Sequence, residues 1–552
     1  MTSVQAFALA ATRKYLQSIV FVDDEIYQRV PPKAKKITIG NGTAAMQIFA
    51  KPMEPEAKIT SKAPAVTEDE HNAEADNGGS NYHPQHLVES FARERMVCAL
   101  YEPKQDFPTD SESDVFKLCE RADVVILDWE FYKDPGTKVM ELLGGLVTAA
   151  QTTVPHHVRL CAIYTSTQNL KRIAQQIFDH LSKLGLNVEA DGEYNLNAGS
   201  SRIIVLGKPS IGRPQDQIDA AQVVESKLAL RIIEEFAAMH SGILPAMALH
   251  GLASVRTNSK KILDKFRKDM DGAFLVHRGL ILPNDDAFDQ IPELLAEEAL
   301  AVMTDNKLSA DDTKKLANKI IDGADFKNAL PPKGEEAVEA GKYATKLLKE
   351  GPVKVEKKVT LDAKALKVLH DELDTDKNLG KDRLAALYAS RTQYGDTRTL
   401  EFGAIVRYTI TIERKDDELR YAICLMPLCD CLRLKSGKSF QFPFWDLRND
   451  NDGASSKGIV VELPDREGFA ELFSMGKPRD HLWLDNFIAG DAKMVVAEME
   501  GGKFIFNGEA RKLEWVAQLK PSHAQRIAQD IGASLSRVAV IEAEWLRLKA
   551  GR

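Results

Sequence analysis

The sequence predicts an α/β domain with a five-stranded, parallel, doubly wound sheet. An all-helical segment follows, and then a C-terminal α+β domain with a small β-sheet or barrel. Three observations indicate this order. Short apolar runs in the first 213 residues each end in a polar residue, as buried parallel strands often do. Apolar residues then recur every three or four positions up to about 330, which is typical of helices. Alternating apolar and polar residues between about 404 and 506 indicate strands.

Four apolar runs near the N-terminus end in side chains that can carry chemistry. The runs are Ser18–Val22, Ala122–Leu127, Arg159–Tyr164 and Arg202–Gly207. The residues that follow them are, in the same order, Asp23 with Asp24, Asp128, Thr165 and Lys208. Because the carboxyl ends of parallel strands share one edge of a sheet, we expect these side chains to meet there. Carboxylate oxygens gathered at one edge suit a hard cation such as Mg²⁺.

This order of an acid pair, a lone acid, a hydroxyl and a lysine resembles the receiver domain of bacterial response regulators. In that family, the acid pair and the lone aspartate hold Mg²⁺. The resemblance therefore implies that Asp24 and Asp128 ligate Mg²⁺ directly, together with the backbone carbonyl of Glu130. It implies that Asp23 acts through a water molecule.

The same resemblance implies that Asp128 accepts a phosphoryl group, that Lys208 pairs with this group and that Thr165 donates a hydrogen bond to it. Each role has a physical reason. Phosphoryl transfer to a carboxylate requires a metal ion to offset charge on the phosphate oxygens, and fixed positive groups beside it. The added phosphoryl group carries roughly two negative charges, which is enough to move a neighbouring loop.

The sequence departs from the usual receiver pattern in several places. The acid pair lies 104 positions before Asp128, and the hydroxyl and the lysine are 43 positions apart. Both spacings are longer than ordinary connections require. Tyr132 stands where the family usually has proline, although Gly136 stands where it often has glycine. Val205 replaces the aromatic residue that swings on activation in many receivers, which puts the usual switching mechanism in doubt.

Composition restricts the class of protein. The hydrophobic content of 44% and the charged content of 28% are ordinary for soluble globular chains, and 552 residues allow three or four domains. The net charge of −8 argues against a protein that coats nucleic acid. No apolar stretch of about 20 residues or signal-peptide core is present, so a cytoplasmic location is predicted. The six cysteines are expected to be reduced, and Cys424, Cys429 and Cys431 lack a paired zinc-binding spacing.

Four segments are predicted along the chain. They are a receiver domain at 1–213 with a disordered insertion near 51–82, a helical domain at 217–330 that could dimerise, a linker at 331–360, and an α+β domain at 361–552. The strands predicted in the last segment are Ala404–Glu413, Leu419–Leu425, Ser439–Pro443, Ile459–Leu463, Met494–Ala497 and Lys503–Phe506.

These features predict a cytosolic signalling protein that takes phosphate from a sensor histidine kinase and either relays or buffers the signal. No enzymatic activity is expected beyond Mg²⁺-dependent self-phosphorylation and dephosphorylation of the receiver. The layout is similar to that of long receiver-containing proteins of bacterial antiviral operons, such as Detocs-like two-component systems. That resemblance implies a role in anti-phage defence. It also implies a receiver-bearing effector as a further partner.

Two alternatives remain open from the sequence. Residues 524–541 have the spacing of a helix-turn-helix with Gly532 at the turn, which would make the chain a DNA-binding transcriptional regulator. Against this, Glu542 and Glu544 follow in the second helix and would repel a phosphate backbone, so two helices packed on the β-domain are the other interpretation. The second alternative is an effector enzyme in the β-domain at 400–520.

Overall fold

The computed structural model describes residues 3–26, 84–152, 159–281, 286–324, 326, 335–351, 369–370, 373, 380–410, 418–431, 434–449, 458–464, 468–474 and 481–535. The chain forms two compact units, Met1–Lys319 and Ile320–Arg552. The insertion predicted near 51–82 lies outside the described residues.

The first unit is an α/β structure with helices extending beyond the sheet. Its strands are β1 Ser18–Val22, β2 Val97–Tyr101, β3 Val124–Leu127, β4 Arg159–Thr165, β5 Val188–Ala190, β6 Asn195–Ala198 and β7 Ser201–Gly207. Its sheet helices are α1 Ser3–Tyr15, α2 Pro84–Arg93, α3 Asp114–Arg121, α4 Thr137–Thr152 and α5 Leu170–Lys183. The later helices are α6 Gln215–Ala221, α7 Glu225–Met239, α8 Ile243–Leu263, α9 Asp271–Leu280, α10 Asp286–Asp305 and α11 Ala310–Gly323, of which α11 continues past the end of the unit.

The central strands are apolar on both sides because both faces of the sheet are covered. Val20 and Val22 of β1 belong to a buried cluster with α3, α4 and α5, whereas Ile19 and Phe21 belong to a second cluster with α1, α2 and α7. This alternation explains why the runs look continuously hydrophobic in the sequence. The doubly wound α/β prediction is therefore confirmed for this part of the chain.

The predicted count of five strands needs correction. The order is β2-β1-β3-β4-β7-β6-β5, in which the first five strands are parallel and β5 and β6 add an antiparallel edge. A tight connection joins β6 to β7, where Gly199 has a φ of +62° that favours glycine. This extra hairpin accounts for the long spacing between Thr165 and Lys208.

The helices that follow the sheet extend one of its layers. Leu228, Ile232 and Phe236 of α7 are buried in the same cluster as Phe21 of β1. Arg256 of α8 forms a 2.8 Å ion pair with Asp123, the residue directly before β3. The first part of the segment predicted as a helical domain thus shares the hydrophobic core of the sheet.

The second unit contains an antiparallel sheet, the end of α11 and further helices. Its helices are α12 Glu335–Glu350, α13 Gly380–Ala389, α14 Leu428–Cys431 and α15 Pro521–Leu535. Its strands are β8 Ser390–Arg391, β9 Ala404–Ile410, β10 Glu418–Cys424, β11 Ser439–Arg448, β12 Ile459–Glu462, β13 Phe469–Ser474, β14 Leu482–Ile488, β15 Glu498–Glu500, β16 Lys503–Asn507 and β17 Lys512–Leu519. The main order is β12-β13-β11-β10-β9-β17-β16-β15, while β14 pairs with β11 and β8 with β17.

Several C-terminal predictions change in detail. The helix α12 lies inside the segment predicted as a linker, and 494–497 contributes only an isolated bridge at Val496 rather than a strand. Gly532, predicted as the turn of a helix-turn-helix, lies within the continuous helix α15. Ile527 and Ile531 of that helix are buried against the sheet, which is the reason for their spacing. The rest of the proposed motif, after residue 535, lies outside the described residues.

No helix among the described residues has the length and apolar character needed to cross a bilayer.

Candidate functional site

The carboxyl edge of the first sheet brings the predicted side chains together as the strand order requires. Asp23 and Asp24 follow β1, Asp128 follows β3, and Lys208 follows β7. Because β1, β3, β4 and β7 are adjacent and parallel, their ends meet at one edge. Thr165 is the last residue of β4, between the acids and the lysine.

A buried lysine joins two of the three carboxylates. Lys208 Nζ lies 2.7 Å from Asp23 Oδ2 and 3.0 Å from Asp128 Oδ2. Asp23 is fully buried, and Asp128 and Lys208 are 7% and 8% exposed. In a buried setting such a cation offsets much of the repulsion between the two acids.

Backbone amides hold the carboxylates in place. Trp129 N–H donates to Asp128 Oδ1 at 2.7 Å, and Glu25 N–H donates to Asp23 Oδ1 at 2.8 Å. Each of these buried acids therefore has one oxygen fixed by the backbone and one directed to Lys208. This arrangement orients the carboxylates without using additional side chains.

The three acids fit a divalent cation. Oxygens of Asp23, Asp24 and Asp128 all lie within 4.8 Å of one another, and within the described part of the chain no other group of three or more His, Cys, Asp and Glu side chains has such a spacing. Mg²⁺ prefers oxygen ligands, so these three carboxylates are the groups that would hold it here. Asp24 is only half-buried, so the site can be reached from solvent.

Thr165 is connected to Glu130 through a second threonine that the sequence analysis missed. Thr165 Oγ1 lies 3.1 Å from Thr167 Oγ1, and Thr167 Oγ1 donates to Glu130 Oε1 at 3.3 Å. Since Thr167 uses its one hydroxyl proton on Glu130, the proton of the first contact comes from Thr165. The loop after β3 and the loop after β4 are thus linked by hydroxyl groups.

Arg213 is another residue that sequence reasoning missed. Its guanidinium is buried and donates to the carbonyl oxygens of Lys208 at 2.6 Å, Thr167 at 2.8 Å and Thr165 at 3.2 Å. It therefore fixes the backbone on both sides of the site. Gly207 makes room for it, because a Cβ there would lie 2.2 Å from the Arg213 guanidinium. The glycine directly before Lys208 is the one sequence feature that could have indicated this contact.

Tyr132 explains one departure from the receiver pattern. Its backbone N–H donates to Asp24 Oδ2 at 2.7 Å, and its hydroxyl donates to the Pro103 carbonyl at 2.6 Å. The proline that the family usually has here carries no N–H and could not make the first bond. Tyr132 also has a φ of +50°, which proline cannot adopt. The tyrosine thus supplies a hydrogen bond to a candidate metal ligand.

Burial changes the acidity of the site. Desolvation raises the pKa of Asp128 to about 6, with Asp23 adding to this effect and Lys208 opposing it. Burial also raises the pKa of Asp24. For Lys208, burial lowers the pKa, but the charges of Asp128 and Asp23 raise it by more, so the net shift is upward. The lysine therefore stays charged at neutral pH.

We expect Mg²⁺ affinity to fall as the pH drops below about 6, because a proton then competes for Asp128. Because the pKa of Asp128 is raised, Mg²⁺ affinity should begin to fall at a pH well above that at which an ordinary aspartate protonates. Below this value the affinity should decrease roughly tenfold per pH unit. Calorimetric titration with MgCl₂ across this range measures it. Affinity that stays constant from neutral pH to well below 6 would contradict the assignment of Asp128 as a ligand.

Gly136 packs against the tryptophan that follows the lone acid. It has a φ of +90°, and a Cβ there would lie 2.2 Å from the Trp129 ring. We expect Gly136→Ala to lower the free energy of unfolding by about 3 kcal/mol, from backbone strain and overpacking together.

Gly185→Ala is the matched control for this clash, because Gly185 also has a positive φ, of +75°, but no atom within 4 Å of the added Cβ. Its expected loss is about 1 kcal/mol, from strain alone. Urea unfolding of both variants measures the difference, and equal losses would show that the contact with Trp129 is unimportant.

The structure also gives the burial of Val205 and of the three clustered cysteines. Val205 is fully buried within β7, in the core on one face of the sheet. Cys424 and Cys431 are buried and Cys429 is exposed, and all three are free thiols.

The comparisons with known proteins address the first unit. Residues 15–213 match the family model of the response receiver domain. No curated protein and no solved structure matches the chain.

Proposed function

From the receiver domain that residues 15–213 match, we propose that the protein accepts a phosphoryl group on Asp128 from a sensor histidine kinase. The observation that supports this most is the contact of Lys208 with Asp128 and Asp23 at the edge where three acids converge. Receiver domains serve response-regulator signalling, and the Asp cluster is typical of their Mg²⁺ site.

The proposed step is a phosphoryl transfer between two protein groups. An oxygen of Asp128 attacks phosphorus, the bond from phosphorus to the histidine nitrogen breaks, and the electron pair remains on the imidazole. An acyl phosphate forms without any net oxidation or reduction. A bound Mg²⁺ would offset charge on the phosphoryl oxygens. Trp129 N–H holds the other Asp128 oxygen during the attack.

Lys208 and Thr165 have separate proposed tasks after the transfer. The ammonium of Lys208 now bonds to two carboxylates, and it would turn to a phosphoryl oxygen once Asp128 is phosphorylated. The Thr165 hydroxyl would give up its hydrogen bond to Thr167 and donate to a phosphoryl oxygen instead. This exchange would loosen the Thr167–Glu130 contact and so change the loop after β3.

We propose that the phosphorylated chain relays the signal to a receiver-bearing effector, or holds the phosphate as a buffer, in bacterial anti-phage defence. A second copy of the chain is a further proposed partner. Large apolar side chains of α9 and α10 are well exposed, among them Leu275 at 60%, Leu280 at 79% and Leu300 at 62%. Burial of such a surface would favour association. Sedimentation of the full chain would determine whether it dimerises.

Phosphotransfer from the sensor histidine kinases of the same organism tests the proposed function. We expect label to move from kinase to the full chain only when Mg²⁺ is present, and to be lost with EDTA. Transfer that is insensitive to EDTA, or no transfer from any sensor kinase of the same organism, would contradict it. A gel-shift assay with the promoter of the protein's own gene tests the DNA-binding alternative, which specific binding would favour. Toxicity of the β-domain expressed alone would favour an effector enzyme.

A further inference from the structure

A cavity of about 480 Å³ lies in the second unit. None of its lining residues belongs to the receiver site. It is formed by α13, β8, the segment after β8, the end of β12, the start of β13 and β17. The polar and aromatic residues that matter for its chemistry are Arg383, Arg391, Arg398, Glu462 and Trp515. The volume lies within the range of pockets that hold small molecules and cofactors.

The lining carries an excess of positive charge. Three arginines face one glutamate. Among the described residues, Arg391 and Arg398 make no ion pair, and the contacts of Arg398 are with backbone carbonyls and aromatic rings. An arginine near a surface usually finds a carboxylate or remains in open water. Glu401 and Asp396 are near enough to interact with Arg391 and Arg398, respectively, but neither forms an ion pair with its arginine within the described residues, which indicates room for an anionic ligand.

Arg398 is held more firmly than a free surface arginine. Its guanidinium lies 4.5 Å from the ring centre of Phe504 and 4.9 Å from that of Trp515. It donates to the carbonyls of Gly395 and Thr397, while its Nε is buried and has no hydrogen-bond partner. Aromatic packing and backbone bonds thus fix a positive charge that makes no ion pair within the described part of the chain. A fixed arginine loses little conformational freedom when it binds an anion.

The backbone beside the cavity is also irregular. The pairing of β17 with β9 shifts register between Trp515 and Ala517, both of which line the cavity. Such bulges often occur next to binding sites, where they redirect a side chain. The Ser390 hydroxyl, at the same wall, is buried without a hydrogen-bond partner. The irregular strand and the unsatisfied hydroxyl agree with a site shaped for a ligand.

We propose that this cavity binds a nucleotide. Arg391 and Arg398 would bind its phosphate groups, and Trp515 would supply an aromatic wall for the base. Charge-assisted bonds from arginine to phosphate are among the strongest hydrogen bonds in proteins, and base–aromatic stacking adds to them. The proposal does not depend on phosphorylation of Asp128.

Calorimetric titration of the full chain with ATP, adenosine and pyrophosphate tests the proposal. EDTA is kept in the buffer so that phosphate groups have no metal at the Asp128 edge. We expect ATP to bind more tightly than either adenosine or pyrophosphate, because only ATP uses both parts of the cavity. Arg391→Ala removes an exposed side chain and should lower ATP affinity at least about tenfold.

Arg420→Ala is the matched control, because it also removes one arginine, which pairs with Glu418 and does not line the cavity. It should leave ATP affinity unchanged. Absence of ATP binding would overturn the proposal. So would an equal effect of the two arginine substitutions, which would place ATP elsewhere. Pyrophosphate that binds as tightly as ATP would also overturn it, since the site would then recognise only an anion.

Discussion

Replacing Asp128 with asparagine is expected to reduce phosphorylation of the chain to background while leaving the fold intact. The amide has nearly the same shape as the carboxylate but cannot form an acyl phosphate. The fold should persist because Lys208 keeps its 2.7 Å contact with Asp23. The substitution also removes an acid whose pKa burial raises to about 6, so a desolvation cost is removed with the charge. Labelling with acetyl phosphate and Mg²⁺ measures the effect.

Asp134→Asn is the matched control for this variant. Asp134 belongs to the same loop and accepts the backbone N–H of Lys138 at 3.0 Å, but it does not contact Lys208 within the described structure. Removing its charge should leave labelling largely unchanged. If Asp128→Asn is labelled as strongly as the natural chain, then Asp128 is not the acceptor.

Replacing Lys208 with methionine should destabilise the metal-free protein by about 3–5 kcal/mol, the cost of removing one partner from a buried ion pair. Asp23 and Asp128 would then be close together in a buried site without a cation. Mg²⁺ should restore part of the lost stability, because it supplies the missing positive charge to the same oxygens. Urea unfolding with EDTA and with MgCl₂ separates the two contributions.

Lys171→Met provides the comparison. Lys171 pairs with Asp216 at 2.9 Å and Glu193 at 3.0 Å, but all three side chains are solvent-exposed. Its replacement should change stability little and should not alter the response to Mg²⁺. The account of the buried lysine fails if Lys208→Met unfolds at the same urea concentration as Lys171→Met, with and without Mg²⁺.

The sequence was sufficient to predict which residues meet at the edge of the first sheet. Buried parallel strands are apolar on both faces, so β1, β3, β4 and β7 were visible as continuous runs with polar ends. The antiparallel strands β5 and β6 were not visible, because they are short and partly exposed and contain Asn195 and Asn197. Strands of three and four residues are too short for an alternating pattern to separate them from a loop.

The supporting contacts of the site could not be predicted from residue types. Tyr132 acts through a backbone N–H and a left-handed φ, and Arg213 acts through carbonyl oxygens of three residues. Such contacts depend on where loops pass each other in space, which local patterns do not encode. Gly207 was the one local sign that a large side chain lies against the strand.

The C-terminal helix shows that one spacing of apolar residues is compatible with two different structures. Ile527 and Ile531 have the spacing of a helix-turn-helix core, but they also lie on one face of a single helix. In the structure that face is buried against the sheet, and Gly532 continues the helix. Glycine inside a helix is tolerated at a cost of about 1 kcal/mol, so it does not require a turn.

The most direct test of the central claim is to locate the phosphoryl group by mass spectrometry after the full chain has reacted with acetyl phosphate and Mg²⁺. Borohydride reduction first converts the labile acyl phosphate into a stable mark on the modified residue. We predict that this mark is found on Asp128 and disappears when EDTA replaces Mg²⁺. A mark on another residue, or an unmodified Asp128 under these conditions, would contradict the account.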